Sequence, residues 1–346
     1  MNDQKISDPQ AFTQAVVSWQ KDFGRHDLPW MVPQAYLRWL SEIMLQQTQV
    51  SVVKDYFSRF TQTFPTVKDL AQAPETEVMR LWAGLGYYSR ARNLHRAAQV
   101  VMQNFGGRFP ETLEGLMTLP GVGRSTAAAI GSFCFHLVEP VLDGNVKRVL
   151  SRVIALNLAV DSTVGAKVLL NLAKSIVSDE EPGVFNQGMM DIGALLCTRT
   201  KPKCDVCPIH ALCRAFLVGN QENYPIKKAK TVRSDRLLRL ALVEKDGAYL
   251  LVQRTKGDIW PGLWCLPEIA DTSGKREPLL RLKRVLTHLN LSIEVFVTGA
   301  QEVQICSNRE SFWVDKRDVV QPTNNLPLPT PIRLIFEKLA QKGDLL

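Results

Sequence analysis

Apolar positions recur every three or four residues from residue 8 to about 215, the period of helices that bury one face. "AYLRWLSEIMLQQTQV" sets Leu37, Leu40 and Met44 on one side of a helix. "PETEVMRLWAGLGYYSRARNLHRAAQVVMQNFGG" predicts two more helices, broken at "GLG" and ended by Gly106-Gly107. "STVGAKVLLNLAKSIV" and "GVFNQGMMDIGALLC" continue the pattern, with no internal repeat. Near residue 220 the period is lost. "YPIKKAKTVRSDRLLR" carries six basic residues against one acid and reads as a linker over 221–236, either touching phosphates or simply solvated. Beyond it, "RLALVEKDGAYLLVQR" predicts a strand, an Asp246-Gly247 turn and a strand. "SIEVFVTG", "EVQICS" and "SFWVDK" predict further strands, "EPLLRLKRVL" and "TPIRLIFEKLAQK" helices, and "PTNNLPLPTP" a loop before the last helix. The expected architecture is a mainly α domain over 1–220 and a smaller α+β domain over 237–346.

At 346 residues the chain is longer than one core usually serves. Apolar and charged fractions of 45% and 22% are those of globular domains. A net charge of +8 suits a polyanion, nucleic acid first, or a merely basic protein. The polar start "MNDQKISDPQ" is no signal peptide and no run of 18 apolar residues occurs, so a cytoplasmic protein without a membrane partner is expected. Of seven cysteines, Cys134, Cys265 and Cys306 are scattered and four fall between 197 and 213. That pattern is no disulfide framework; it reads as a reduced compartment with one metal site.

"CTRTKPKCDVCPIHALC" spaces Cys197, Cys204, Cys207 and Cys213 as Cys-x6-Cys-x2-Cys-x5-Cys. Only Cys204 and Cys207 form the close pair usual for zinc, and the uneven spacing equally fits a cubane iron–sulfur cluster. His210 reads as a surface residue. "LPGVGRSTAAAIGS" joins two short helical patterns, 111–118 and 124–134. Gly121 and Gly123 can adopt positive φ and bare their N–H groups, an anion site beside a helix N-terminus, although such turns also serve only to reverse the chain. Ser125 puts a hydroxyl early in the second helix. Asp143, twenty residues past Gly123, reads by itself as an N-cap. Glu42 lies one turn from Arg38 and fits an exposed ion pair. Its neighbours Trp39, Leu40, Ile43 and Met44 equally fit burial, which would let it hold a proton at neutral pH as a general acid.

The cysteine spacing resembles the cluster loop of the helix-hairpin-helix DNA glycosylases, the group of endonuclease III, and "LPGVGRSTA" resembles their phosphate grip. Over residues from about 11 to 340 the ordered stretches "LPW", "WLSEIMLQQTQV", "LWAGLGYYSRARNLH", "FPETLEGLMTLPGVGRSTAAAI", "LDGNVKRVL", "FNQGMMDIGALLCTR" and the Cys loop resemble adenine DNA glycosylases of the MutY type. The resemblance implies a helix-hairpin-helix glycosylase domain, its hairpin at about 111–135 and cluster loop at 197–213, a [4Fe-4S] cluster on the four cysteines, and a Nudix-like C-terminal domain. It implies a monomer that hydrolyses the N-glycosidic bond of adenine opposite 8-oxoguanine or guanine in double-stranded, nucleoid DNA.

By the same resemblance Glu42 protonates adenine N7, Asp143 stabilises the cationic sugar, and Asn145 supports Asp143. Ser125 hydrogen-bonds the nucleotide or holds water. Gln47 and Tyr87 wedge into the duplex, and Arg25, Leu28, Trp30 and Asp191 line the adenine pocket, where Leu28 and Trp30 read equally as packing. Met31 departs from the polar or basic residue of many relatives. "WPGLWCLPE" resembles the opening of a Nudix hydrolase, yet the metal-binding box is absent after Glu268, which implies reading of 8-oxoguanine rather than nucleotide hydrolysis. The reading loop, usually Phe-Ser-His, is Leu286, Thr287 and His288 here, so the aromatic is missing. Ser125 in place of a lysine implies base release without strand cleavage, with Lys147 the nearby amine. The rival readings are a bifunctional endonuclease III-type pyrimidine glycosylase and lyase, a non-catalytic lesion binder, and a nucleotide hydrolase.

Overall fold

The computed structural model describes residues 5–227, 233–255, 257–269, 276–286, 289–303, 309–320 and 326–341. Its helices are α1 (Pro9–Phe23), α2 (Ala35–Leu45), α3 (Val50–Thr63), α4 (Val67–Gln72), α5 (Glu75–Trp82), α6 (Ser89–Phe105), α7 (Leu113–Met117), α8 (Arg124–Phe135), α9 (Gly144–Val153), α10 (Thr163–Lys174), α11 (Pro182–Asp191), α12 (Arg214–Leu217), α13 (Lys316–Val320) and α14 (Thr330–Gln341). The strands are β1 (Ser234–Leu242), β2 (Glu244–Lys245), β3 (Ala248–Gln253), β4 (Trp264–Cys265), β5 (Leu280–Val285), β6 (Leu289–Val297) and β7 (Ser311–Asp315). The chain divides into Met1–Ala73 with Arg92–Ala229, and Pro74–Ala91 with Lys230–Leu346.

In the first unit short polar side chains start the helices. Asp8 caps α1, with Pro9 as its first residue; Thr66 and Asp69 form a capping box on α4; Thr112, Asp143 and Ser162 cap α7, α9 and α10. Each accepts an N–H that the first helical turn cannot use internally. Helix α1 packs on α11 and α2 on α8. Phe12, Val16, Val149, Leu150, Leu169, Phe185, Met189 and Ile192 share one buried core. The α1–α11 approach depends on Gly188, where a Cβ would stand 2.8 Å from Cγ1 of Val16. Past Asp191 the helix widens into a π-helical turn, Ile192–Leu196, which delivers Cys197.

The segment read as a linker over 221–236 is shorter than that at both ends. Gln221–Asn223 forms a tight turn, Tyr224 is buried, and the Val160 N–H donates to the Ile226 carbonyl at 3.1 Å. Tyr224 by its buried ring and Ile226 by its backbone carbonyl are anchors that the surrounding charge concealed, and β1 already begins at Ser234.

The second unit holds two sheets. In one, β6 pairs parallel with β1 and antiparallel with β5; in the other, β3 pairs antiparallel with β2, β4 and β7. Asp246 and Gly247 have φ of 50° and 76°, the two positive values a two-residue hairpin turn demands. Helix α14 buries Ile332, Ile335, Phe336 and Leu339 in a core with Leu240, Tyr249 and Ile293. Pro74–Ala91 belongs to this unit, and the Tyr88 hydroxyl donates to the Leu328 carbonyl at 3.2 Å.

"EPLLRLKRVL" is not the helix expected. Its residues 280–285 are β5, with Leu280 and Leu282 buried and Arg281 and Lys283 turned out. The Leu- and Arg-rich composition favours a helix, but the alternation has period two and β6 supplies the pairing. Of the predicted strand "EVQICS", residues 304–308 lie outside the described residues and Ala300–Glu302 is a short 3-10 turn. Thr287 and His288 also lie outside them, while Leu286 packs against the core.

Candidate active site

Helix α9 carries the first carboxylate. Asp143 is its N-cap: Oδ1 accepts the Val146 N–H at 2.8 Å and Oδ2 accepts Nδ2 of Asn145 at 3.3 Å. Burial pushes the Asp143 carboxyl up, while the N–H donors of Val146 and Asn145 and the Arg148 charge hold it back. Sequence reasoning missed Arg148. Its Nη2 donates to Asn145 Oδ1 at 2.8 Å and to the Gly193 carbonyl at 2.7 Å, and its Nε to the Cys197 carbonyl at 2.8 Å. Gly193 allows the approach, since a Cβ there would lie 2.6 Å from that of Asn145. The available signal was a basic residue at one-turn spacing from Arg152 with no acid to pair either.

The second carboxyl sits on α2. Glu42 does not form the expected ion pair with Arg38, and among the described residues its carboxyl makes no hydrogen bond. Burial pushes it up to about 7, with Arg38 drawing it down and Asp143 adding to the rise. The two acids therefore sense each other but differ in kind, one surrounded by donors and one without any.

Two residues expected to enter the duplex share an unusual backbone. Gln47 (φ 61°) and Tyr87 (φ 49°) are exposed and left-handed, a conformation that non-glycine residues rarely hold and that clusters at functional sites. Gln47 belongs to the first unit and Tyr87 to the second. In the hairpin only Gly121 needs positive φ, at 79°, where a Cβ would meet Asn93 at 2.9 Å. Gly123, expected to share that conformation, is instead extended at φ −87° because it is the N-cap of α8, and open space surrounds its missing Cβ. The Ser125 hydroxyl accepts the Leu142 N–H at 3.2 Å and so fixes the strand that leads into Asp143.

The residues expected to line a base pocket fall into two groups. Leu28 and Trp30 are buried, and Trp30 meets Phe57 edge to face at 5.4 Å. Asp191 is fully buried; its carboxylate accepts the Arg25 N–H at 2.8 Å, Arg25 Nε at 2.9 Å, Arg25 Nη2, and Gln187 Nε2 at 2.9 Å. Four donors fill the lone pairs of a carboxylate, so Asp191 acts by holding Arg25 and has none left for a ligand.

Cys197, Cys204, Cys207 and Cys213 line one cavity with Val149, Arg152 and Ile209. Among the described residues no three His, Cys, Asp or Glu side chains converge as the ligands of a single ion do. A tetrahedral zinc would draw its sulfurs to about 2.3 Å from one point; thiols spread around a cavity suit a larger, multi-atom group. Burial and mutual repulsion push Cys204, Cys207 and Cys213 up, Cys207 to about 12, so the thiolates need a cationic centre. Arg152 Nη1 already donates to Cys197 Sγ at 3.2 Å. His210 is exposed and turns Nδ1 to the Cys207 carbonyl at 2.7 Å.

Residues 40–164 match the HhH-GPD superfamily base excision DNA repair protein family, and residues 239–338 match the NUDIX domain. An adenine DNA glycosylase of Buchnera aphidicola (subsp. Acyrthosiphon pisum) is 39% identical over 280 residues, 81% of this chain and 79% of that one. Another, of Buchnera aphidicola (subsp. Baizongia pistaciae), is 35% identical over 95% of this chain and 96% of its own. That of Mus musculus is 38% identical over 76% of this chain and 61% of its own. Among solved structures, a thermostable thymine-DNA glycosylase is similar at a TM-score of 0.55 and 29% identity, over 60% of this chain and 95% of that one. A non-covalent endonuclease III–DNA complex shares the fold at 0.51 and 23%, over 60% of this chain and 94% of that one. The hairpin, the capped aspartate and the cysteine loop thus define an enzyme of the helix-hairpin-helix base excision class. Within it, the chain belongs to the adenine DNA glycosylase family.

The Arg25–Asp191 pair sets a first expectation. Arg25→Ala removes two of the four donors, the guanidinium Nε and Nη2, and leaves a buried carboxylate without its counter-charge, at a cost of about 3–5 kcal/mol. The backbone N–H of residue 25 and Gln187 Nε2 survive that change, so the loss reads the guanidinium. Denaturant unfolding measures it, and Asp191→Asn should lose less.

Proposed function

We propose that this enzyme removes adenine mispaired with 8-oxoguanine or guanine in duplex DNA and leaves an abasic site in an unbroken strand. The difference between its two carboxyls carries the reading. Glu42, held near 7 by burial and without a hydrogen-bond donor, keeps a proton at neutral pH and gives it to adenine N7. The bond between C1′ and N9 breaks, its electron pair leaves with the base, and adenine departs neutral. Asp143, supplied with donors at both oxygens, serves as the anion that faces the sugar cation. Water then adds to C1′, and the proton it sheds restores Glu42.

Several observations support the remaining parts. The family relationship supports adenine as the base. The open space at Gly123 and the turn at Gly121 support a backbone grip on phosphate. The left-handed tips at Gln47 and Tyr87 support wedging. The NUDIX match supports a lesion-reading domain, with Thr287 and His288 as its candidate donors. A role for Leu28, Trp30 and Arg25 around the flipped base rests on the resemblance. Ser125 carries no amine, and Lys147 is committed to Asp161 at 3.3 Å, which supports simple hydrolysis over the bifunctional lyase reading. The cavity among Cys197, Cys204, Cys207 and Cys213 supports a [4Fe-4S] cluster, which when bound would clamp the loop as a structural centre. A monomer acting on cytoplasmic, nucleoid DNA completes the proposal.

Glu42→Gln and Asp143→Asn should each bind the mispair and slow single-turnover base release on the order of 10²-fold or more. A variant as fast as wild type would remove that residue from the mechanism. Because the protonated form of Glu42 is the active one, the wild-type rate should fall as pH rises through about 7. Denaturing electrophoresis without alkali should show an intact strand after base release; nicking at the rate of base loss would return the lyase reading. Protein purified without oxygen should contain about four irons per chain. Stoichiometric zinc in iron-replete preparations would rule the cluster out.

A further inference from the structure

Glu42 shares α2 with a charge one helical turn before it. Arg38 is 9% exposed, yet it does not close on Glu42. Its Nε donates to the Val32 carbonyl at 3.2 Å, and its guanidinium lies over the Phe133 ring of α8, 4.5 Å from the centroid. The planar group is thus held by a carbonyl and an aromatic face, both matched to guanidinium chemistry. Arg38 also lines an open cavity of about 820 Å³ with Gln20, Ser132, His136 and Gln187, where water can solvate the charge.

We propose that Arg38 is a positioning residue, a fixed positive charge kept out of contact with Glu42 that sets how far into the alkaline range the acid retains its proton. The proposal rests on the reading of Glu42 as proton donor. Direct ion pairing would strip the proton and block the carboxyl with a hydrogen bond. With no positive charge nearby, burial would bind the proton tightly and make Glu42 a weak donor. An anchored charge one turn away gives the intermediate case. Three groups act on this corner of the site: Arg38 on α2, Asp143 at the start of α9, and Cys134 on α8, whose thiol senses both Arg38 and Glu42. Of these only Arg38 is positive. Burial raises Glu42, Asp143 raises it further, and Arg38 alone pulls it down.

The test is the pH profile of single-turnover adenine release by full-length protein, from about pH 6 to about pH 9. Arg38→Met keeps the length and apolar stem without the charge. Its alkaline limb should move up by about one pH unit, so that well above the midpoint it retains about tenfold more of its plateau rate than wild type does. Arg38→Lys should restore most of the wild-type limb. If the Met variant does not fold, Arg38→Gln, neutral and still able to donate to Val32, should give the same upward shift. A rate lowered equally at every pH with the limb unmoved, or a limb that moves down, overturns the proposal and leaves Arg38 a packing residue. The residual rate of Glu42→Gln separates the two readings: an alkaline limb that persists there means that another group titrates, and the assignment of Glu42 fails first.

Discussion

One guanidinium joins the chemistry to its support. Arg148 faces Asn145 on its own helix and two backbone carbonyls, Gly193 and Cys197, on the segment that enters the cysteine loop. A turn later Arg152 is almost fully buried; its Nε meets the Tyr224 carbonyl, Nη1 the Thr198 carbonyl, and Nη2 the Arg199 carbonyl. An irregular loop leaves carbonyls that no helix or sheet can satisfy. Two five-donor forks on α9 satisfy them where a lysine, a point charge, would not. The same helix begins at Asp143. Acid, supporting amide and loop are therefore tied together, and Arg148 links the loop carbonyls to the amide that touches the carboxylate.

The two carboxyls meet different surroundings, although burial pushes both up. At Asp143 the first turn of α9 and Asn145 aim N–H groups that offset part of that rise. Glu42 lies in the middle of α2, where every backbone N–H is already spent on the helix and burial dominates. Position along a helix, start against middle, decides which carboxyl meets N–H donors and which does not.

The sequence displays whatever rests on period or on local capping. The helices around "GLG", the hairpin at 119–123, the Asp246-Gly247 turn and the N-cap at Asp143 follow from spacing within a few residues. What depended on distant partners was hidden. Residues 280–285 became a strand because β6 was there to pair with it. Asp191 and Arg25 are 166 positions apart and saturate each other, which no local pattern announces. The wide basic run around 221–236 masked the buried Tyr224 and the carbonyl contact of Ile226, and the departure of 74–91 to the C-terminal unit has no compositional mark. Gly123 was misread for a different reason: two glycines in one turn look alike, but one reverses the chain and the other caps a helix.

The π-helical turn at Ile192–Leu196 turns length into direction. Each residue of an α-helix advances the side chain by about 100°, and a wide turn absorbs one extra residue without lengthening the axis in proportion. Asp191 before the turn must face inward to Arg25, and Cys197 after it must face the cavity of its three companions. Substitutions within 192–196 that keep Gly193 leave that phase intact. Loss of one residue would rotate everything downstream by roughly a third of a circle and swing Cys197 off the cavity. The segment is thus a phase-setting spacer: Gly193 apart, its count of residues is fixed more tightly than their identities.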